Sequence, residues 1–166
     1  MKRRITVQDD LQHYTYECTQ PIGQNYDNEF APDLTPQQML ELGVFGGHYF
    51  EGRHEEFPLE WFTQARLSEV HDPMMNFFEV DASQSREEWQ RKGWIHHDDP
   101  RGWFQWYCRY YYGRRVPIED KRQIGRWKAI ARHTGQIRAH CAPGDLTCRR
   151  RQRQALLHWA YDSRAI

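Results

Sequence analysis

The chain has 166 residues, in which 23 lysines and arginines balance 23 aspartates and glutamates. Aromatic residues make up 14% of the chain, and their large rings can fill a core although the overall hydrophobic content is low. This length and composition favour one folded domain over a disordered chain, and no apolar run approaches the ~20 residues that cross a bilayer, so we expect no membrane partner.

The cysteine content and the first residues predict a cellular location. Four cysteines are too few for a disulfide scaffold, which favours a reducing compartment. The basic start, Met-Lys-Arg-Arg, is followed by ITVQDDLQHY instead of the apolar core of a signal peptide. We therefore predict a soluble cytoplasmic protein.

Charge is distributed unevenly along the chain. Residues 1–100 carry eight Lys/Arg against nineteen Asp/Glu, whereas residues 101–166 carry fifteen against four. Such asymmetry predicts an acidic face and a basic face. The alternative is that the two parts of the chain pack together and neutralise each other, and the sequence leaves both open.

The first half of the chain contains one clear helix signal. Residues 1–33 alternate only weakly and are rich in turn-forming residues, so we predict an extended N-terminal arm with one short strand. TPQQ at 35–38 is a capping box with proline at the first helical position, and it predicts a helix over 36–45 that a glycine pair ends. A short helix over 58–67 and a short strand over 77–80 follow.

Stronger helix signals occupy the second half. SREE at 85–88 is a second capping box. Asp99 is interpreted as the cap of the next helix, which Gly113 is placed to close. Helical patterns then run over 118–139 and over 147–161.

Together these elements predict a mainly α fold. We expect a single compact domain of about six helices over 34–166, with an acidic first part and a basic C-terminal part. The extended arm 1–33 precedes it, and the chain contains at most one or two short strands.

The stretch at 99–115, DPRGWFQWYCRYYYGRR, raises the question of whether its rings form a core or a stacking surface. On a helical projection most rings over 103–113 fall on one arc about 200° wide, which belongs to a helix that is buried on most of its circumference. Core is therefore the preferred interpretation. Gln105 and Arg109 lie on the remaining side and would line whatever opens there.

The 118–139 helix shows an apolar stripe opposite a basic face. Arg122, Arg126 and His133 form one row at offsets of four and seven, and cations at this spacing can follow a phosphate backbone. The alternative is a solvated basic face that the acidic half balances.

The C-terminal helix, within CRRRQRQALLHWAYD, combines a core side with polar groups. His158 and Asp162 lie one turn apart and are weak catalytic candidates, as a base and its orienting carboxylate, although such pairs are more often surface ion pairs. Arg149, Gln152 and Arg153 project toward the protein body or a cleft beside it. They support either an anion pocket or internal pairing with acids.

The metal-like cluster that stands out is His133, His140, Cys141 and Cys148, but its spacing fits no standard zinc pattern. A disulfide between the two cysteines is sterically possible but disfavoured in a reducing compartment. HHDD at 96–99 offers imidazoles and carboxylates, with its last aspartate explained as a helix cap. We therefore predict no metal site and no cofactor, zinc included.

Four motifs, DPRGWFQWYCRYYYGRR, LTPQQMLELGVFGG, RQIGRW and CRRRQRQALLHWAYD, resemble those of a family of small proteins with no established activity. The resemblance covers roughly residues 31–162, and motifs this aromatic are fairly specific. It implies no catalytic or binding residue, because no activity comes with it.

The leading hypothesis is a helical protein that binds DNA or RNA through an Arg-rich C-terminal surface. The 19 arginines against 4 lysines suit forked contacts with phosphates. The predicted nucleic-acid or anion-binding residues are Gln105, Arg109, Arg114, Arg115, Arg122, Arg126, Arg132, Arg149, Arg150, Arg151, Gln152 and Arg153.

Two alternatives remain open at the level of sequence. One is an enzyme that acts on a small anionic substrate in a pocket between the aromatic helix and the last helix, with His158 as the acid–base group. The other is a protein-interaction module whose acidic half engages a basic partner. No P-loop, dinucleotide fingerprint or serine nucleophile elbow favours catalysis, and the oligomeric state is open.

Overall fold

The computed structural model describes residues 2–166. The fold is a small mixed one, mainly helical, with one two-stranded antiparallel sheet. The elements in chain order are β1 (Arg3–Gln8), β2 (His13–Cys18), α1 (Pro36–Leu42), α2 (Arg86–Arg91), α3 (Trp103–Tyr112), α4 (Pro117–Ile130), α5 (Arg132–His140) and α6 (Arg150–Leu157). No helix among these described residues is long and apolar enough to span a bilayer.

Five of the six predicted helices form. α4 and α5 together account for the single pattern over 118–139, because only Ala131 separates them and its backbone angles are themselves helical. The helix predicted over 58–67 is reduced to one 3-10 turn, Leu59–Trp61. Leu59 is 74% exposed, whereas the consecutive residues Trp61 and Phe62 are both buried. The segment therefore does not show the apolar stripe of an amphipathic helix.

The predicted strand over 77–80 is a run of turns, and the two strands lie in the N-terminal arm instead. There β1 pairs with β2 so that Ile5 faces Tyr16 and Arg3 faces Cys18. Tyr16 and Cys18 are buried, which gives the hairpin one inward side. The arm is therefore more regular than expected, within the predicted limit of two strands.

Local caps define the helix starts in the first part of the chain. Thr35 and Gln38 form the complete capping box of α1, and the Ser85 hydroxyl accepts from the backbone of Glu88 at the start of α2. α1 ends at Gly43, before the predicted glycine pair. Gly43 has a φ of 109°, and a Cβ there would collide with the backbone of a distant turn at residue 75.

The start of α3 corrects one prediction. Asp99 does not cap this helix, because Gly102 is the N-cap residue and makes no side-chain cap. The Asp99 carboxylate instead binds two arginine side chains, as described below. The predicted end at Gly113 is confirmed: this residue is left-handed, with a φ of 118°.

The chain divides into two compact units, and the division falls inside α4. Unit 1 comprises Met1–Ala31 and Gln84–Gly125, and unit 2 comprises Pro32–Ser83 and Arg126–Ile166. The predicted division into an arm and one helical domain stays a prediction.

Each unit combines an earlier and a later segment of the chain, so neither is strongly charged. Unit 1 carries twelve Lys/Arg and eleven Asp/Glu, and unit 2 carries eleven and twelve. Within unit 2, however, residues 32–83 hold ten of the acids and residues 126–166 hold nine of the cations. The asymmetry seen along the chain is therefore concentrated inside unit 2.

The core of unit 1 is aromatic. The Phe30 ring lies edge-on to Trp106, Tyr107 and Tyr110 of α3, with ring centroids 5.5 Å apart in each case. These rings are at most 3% exposed, so the interpretation of α3 as a core helix is confirmed for them. Edge-to-face pairs of this kind add to the hydrophobic gain of burial.

The core of unit 2 fixes α6 by polar as well as apolar contacts. Leu156 and Leu157 are fully buried. The Gln154 amide donates to the carbonyl of Gly43 at 3.0 Å and accepts from the backbone of Phe78 at 2.9 Å. α6 is therefore held in one orientation, with its opposite face in solvent.

Candidate anion-binding surface

Burial separates the twelve predicted anion-binding residues into three groups. Gln105, Arg109, Arg114 and Arg153 are at most 2% exposed. Three others are half-buried, namely Arg115, Arg126 and Gln152. The exposed residues are Arg122, Arg132, Arg149, Arg150 and Arg151.

Two of the buried arginines share one buried acid, an arrangement that we call the Asp99 cluster (Asp99, Arg109 and Arg114). Arg114 donates to both carboxylate oxygens of Asp99 at 2.9 and 2.8 Å, and Arg109 donates to one of them at 2.9 Å. Both guanidiniums lie over the rings of Tyr14 and Tyr16. Burial alone would lower the pKa of Arg114, but Asp99 raises it above its ordinary value.

The remaining donors of Arg109 are also used inside unit 1. Its Nη2 donates to Gln12 Oε1 at 2.7 Å, and its Nη1 donates to the Asp98 carbonyl at 2.6 Å. Gln105, one turn earlier, accepts from the backbone of Arg101 at 2.9 Å. The open side that the helical projection assigned to Gln105 and Arg109 is therefore filled by their own unit.

Arg115 and Arg122 are likewise engaged. Arg115 donates to the carbonyls of Gln24 and Asn25, and its guanidinium lies 3.7 Å from the centroid of the Tyr110 ring. Arg122 makes a forked pair with Glu119 at 2.7 and 2.8 Å, which raises the pKa of Arg122.

Arg153 holds the end of the chain within unit 2. Its Nε donates to the Cys148 carbonyl at 2.8 Å, and its Nη1 donates to the carbonyls of Ser163 and Ile166 at 2.8 and 2.5 Å. Its partners are thus backbone carbonyls, where the sequence had left open an anion or acidic side chains.

The exposed arginines of unit 2 lie on one supersecondary element, which we call the basic hairpin: α5, the connection 141–149, and α6. Its exposed arginines are Arg132, Arg138, Arg149, Arg150 and Arg151. Their hydrogen-bond partners are neutral groups: Arg132 donates to the Ala129 carbonyl, Arg149 to the Gln152 amide oxygen and Arg150 to the Phe78 carbonyl. Within residues 2–166, none of the five pairs with a carboxylate.

The basic hairpin is a constrained element. A disulfide joins Cys141 to Cys148 and closes the connection between the helices. Gln152 Nε2 lies 3.0 Å from His133 Nδ1 and links α6 to α5. Ile137 of α5 is 1% exposed and anchors the buried side. The exposed arginines are therefore carried by a backbone that is fixed at its connection and on its inner face.

The start of α6 concentrates positive charge. Arg149 is the N-cap residue, with a left-handed φ of 53° and no side-chain cap, and the first turn contains no acid. Cations are unfavourable at a helix N-terminus, where the helix dipole is itself positive. A bound anion would relieve this repulsion and accept from the backbone N–H groups of the first turn.

The catalytic candidates are not brought together. His158 is 2% exposed, its Nδ1 accepts from the backbone of Phe45 at 3.4 Å, and its ring stacks on the Phe45 ring. Asp162 binds Arg164 through both carboxylate oxygens. Burial, and then the charge of His71, lowers the pKa of His158 to about 3, so its imidazole is neutral at physiological pH.

The predicted metal-like cluster offers few ligands. Cys141 and Cys148 are joined to each other, and a disulfide presents no thiolate to a metal. His133 is hydrogen-bonded to Gln152, and burial lowers the pKa of this histidine. His140 is exposed.

Unit 2 also contains a cavity of about 380 Å³. Leu40, Val44 and Phe50 line it together with two histidines, His48 and His54. None of the predicted anion-binding residues lines this cavity.

Arg138 is an exposed cation that the sequence did not single out. The projection treated 118–139 as one continuous helix, whereas α4 and α5 are two helices with Ala131 between them. An arginine row read across such a break does not describe one face.

Comparison with protein-family models, with curated proteins and with solved structures finds no match for this chain.

Proposed function

We propose that this protein binds nucleic acid through the basic hairpin. The observation that carries the proposal is the set of five exposed arginines that lack a carboxylate partner among residues 2–166. By contrast, Arg109, Arg114 and Arg153 are buried against an acid, rings or carbonyls. Several exposed cations on one element, none of them paired with a carboxylate, favour a polyanionic ligand, because binding it releases the counterions condensed on its phosphates.

The arrangement at the start of α6 adds to this support. Arg149, Arg150 and Arg151 are consecutive and surround a helix N-terminus. Forked guanidiniums and backbone N–H groups together suit phosphate oxygens. The half-buried Trp159, with Arg126 over its ring at 5.3 Å, lies in the same unit. It is the aromatic side chain that we assign to base stacking.

The revised set of ligand residues differs from the first one. Arg132, Arg149, Arg150 and Arg151 remain in it, and Arg138 joins it. Arg109, Arg114 and Arg153, with Gln105, leave it because their side chains are buried and make hydrogen bonds inside their own units. The alternative of a small-anion enzyme draws on these same buried groups, so it gains less support.

Fluorescence anisotropy with labelled single-stranded DNA, duplex DNA and RNA of roughly 20 nucleotides tests the proposal. We expect binding at about 50 mM salt that weakens steeply by about 200 mM. The triple variant Arg132→Gln, Arg138→Gln, Arg151→Gln should bind more weakly at every salt concentration. Its salt slope should fall by up to about 0.9 for each phosphate that the variant no longer neutralises.

A matched control removes the same charge from exposed positions of unit 1, through Arg4→Gln, Lys92→Gln and Lys121→Gln. We expect this variant to bind like the wild-type protein. Equal losses in both triple variants would assign the binding to net charge alone. No binding by the wild-type protein at low salt would leave the protein-interaction alternative as the better one.

The cytoplasmic location stays a proposal. The Cys141–Cys148 disulfide is the observation that argues against it, since such bonds are rare in reducing compartments.

A further inference from the structure

We propose that unit 1 carries a binding site for a divalent transition-metal cation, formed by His96, His97 and Asp98. One donor atom from each residue lies within 4.8 Å of the others. His97 Nε2 is 3.2 Å from Asp98 Oδ1, and His96 Nδ1 is 3.8 Å from Asp98 Oδ2. Bonds from zinc to nitrogen and oxygen are about 2.0–2.2 Å, so small side-chain rotations bring all three donors onto one ion.

The backbone that carries these donors is fixed. His96 and Asp99 form an isolated β-bridge, with the Asp99 amide 3.0 Å from the His96 carbonyl. The Asp98 carbonyl accepts from Arg109 Nη1 at 2.6 Å and from Gln12 Nε2 at 3.0 Å. The turn is thus held by the bonds that surround the Asp99 cluster, and donors on a fixed backbone bind a cation with less loss of conformational entropy.

The side chains themselves are accessible. The His97 side chain is 84% exposed, and those of His96 and Asp98 are 28% and 24% exposed. His96 Nδ1 accepts from the Asp98 amide at 3.1 Å, so this nitrogen presents a lone pair. A cation seated beside the carboxylate would replace that amide as the partner of Nδ1.

The charge around the turn selects the kind of cation. Asp99 opposes two arginines, and Asp9 lies 3.5 Å from the guanidinium of Arg101. Two acids therefore face three arginines, and the Asp98 carboxylate balances the one positive charge that remains. The turn has no excess of negative charge to attract hard cations. Calcium and magnesium prefer sites built from several oxygens, whereas zinc, cobalt, nickel and copper bind imidazole nitrogen strongly.

Three protein donors leave at least one coordination position for water, as in open zinc sites. The alternative without a metal is that the two histidines form only surface contacts with Asp98. Both arrangements use the same three side chains, and direct metal binding distinguishes them.

The experiment is a titration of the untagged full chain with Zn²⁺ by calorimetry at pH 7.5, and with Co²⁺ by visible absorption. We expect one equivalent of metal to bind saturably, and Co²⁺ to develop d–d bands. His97→Ala should weaken binding at least 10-fold. Gln12→Ala, which removes one support of the Asp98 carbonyl, should weaken it about 10-fold. Mg²⁺ should produce no signal.

His140→Ala is the matched control, since His140 is an exposed histidine of unit 2. This variant should bind metal like the wild-type protein. Circular dichroism of His97→Ala should match that of the wild-type protein, because its side chain is mostly in solvent. The proposal is overturned if the wild-type chain shows no saturable binding, or if His97→Ala binds as tightly as the wild type.

Discussion

The Asp99 cluster of unit 1 and the basic hairpin of unit 2 use the same residue type in opposite ways. In the cluster two arginines are fully buried, and one carboxylate with several carbonyls and rings surrounds them. In the hairpin five arginines are exposed, and the hydrogen bonds that three of them make go to neutral groups. Burial and partners, not composition, therefore separate structural arginines from those that can meet a ligand.

The energetic reason lies in desolvation. A buried guanidinium has lost its hydration, so a counter-charge or hydrogen-bond acceptors must offset that loss. An exposed guanidinium keeps its hydration, so a partner adds little to folding. A substitution in the cluster should therefore change stability, and one in the hairpin should change binding.

The largest expected effect tests the buried half of this comparison. Asp99→Asn preserves the shape of the side chain but removes the charge that opposes Arg109 and Arg114. Removing one partner from a buried ion pair costs about 3–5 kcal/mol, because the remaining charges stay buried. Urea unfolding followed by tryptophan fluorescence should show this loss of the free energy of unfolding.

The control for this variant is Glu87→Gln, which changes an acid whose side chain is 77% exposed. It should change the free energy of unfolding by less than about 0.5 kcal/mol. If Asp99→Asn unfolds at the same urea concentration as Glu87→Gln, the cluster contributes nothing and the contrast with the hairpin fails.

His158 sharpens the comparison, because it is a buried ionisable group without a counter-charge. Its pKa is lowered from 6.5 to about 3 by burial and by His71. At a pH between these two pKa values, His158 is protonated in the unfolded chain and neutral in the folded chain. The free energy of unfolding is therefore unaffected by His158 above about pH 6.5. Below that pH it falls by about 1.4 kcal/mol for each pH unit.

At pH 5 the protonation of His158 in the unfolded chain should make the free energy of unfolding about 2 kcal/mol lower than at pH 7.5. His54 and His133, whose pKa values are also lowered by burial, add to the loss in the same direction. His158→Gln should remove the larger part of the acid sensitivity between pH 5 and 7, measured by urea midpoints. His140→Gln should reproduce the wild-type profile, and an unchanged slope in His158→Gln would contradict the assignment.

Whether a feature depends on neighbouring or on distant residues explains what the sequence could predict. The Thr35 capping box and the end of α3 at Gly113 depend on neighbours within a few residues, and both are confirmed. The end of α1 at Gly43 depends on a turn more than thirty residues away. Asp99 looked like a cap because its arginine partners come from positions that only the fold brings close.

The candidate surface was predictable in part for a related reason. A helical projection identifies which side chains share a face, but not which segment covers that face. Arg132 and Arg151 of the predicted set are exposed, whereas Arg109 was assigned an open side that Gln12 and the Asp98 carbonyl fill. Arg138 was missed because nothing in the sequence marks the helix break at Ala131.

The smallest expected effect tests the exposed half of the comparison. The variant with glutamine at positions 132, 138 and 151 loses three exposed charges and one hydrogen bond, from Arg132 to the Ala129 carbonyl. Its free energy of unfolding should stay within about 0.5 kcal/mol of wild type, because surface substitutions away from caps and cores change little. Weaker nucleic-acid binding at unchanged stability would then assign these arginines to the ligand. A loss of more than about 1 kcal/mol would instead mean that they stabilise unit 2, as Asp99 and its arginines stabilise unit 1.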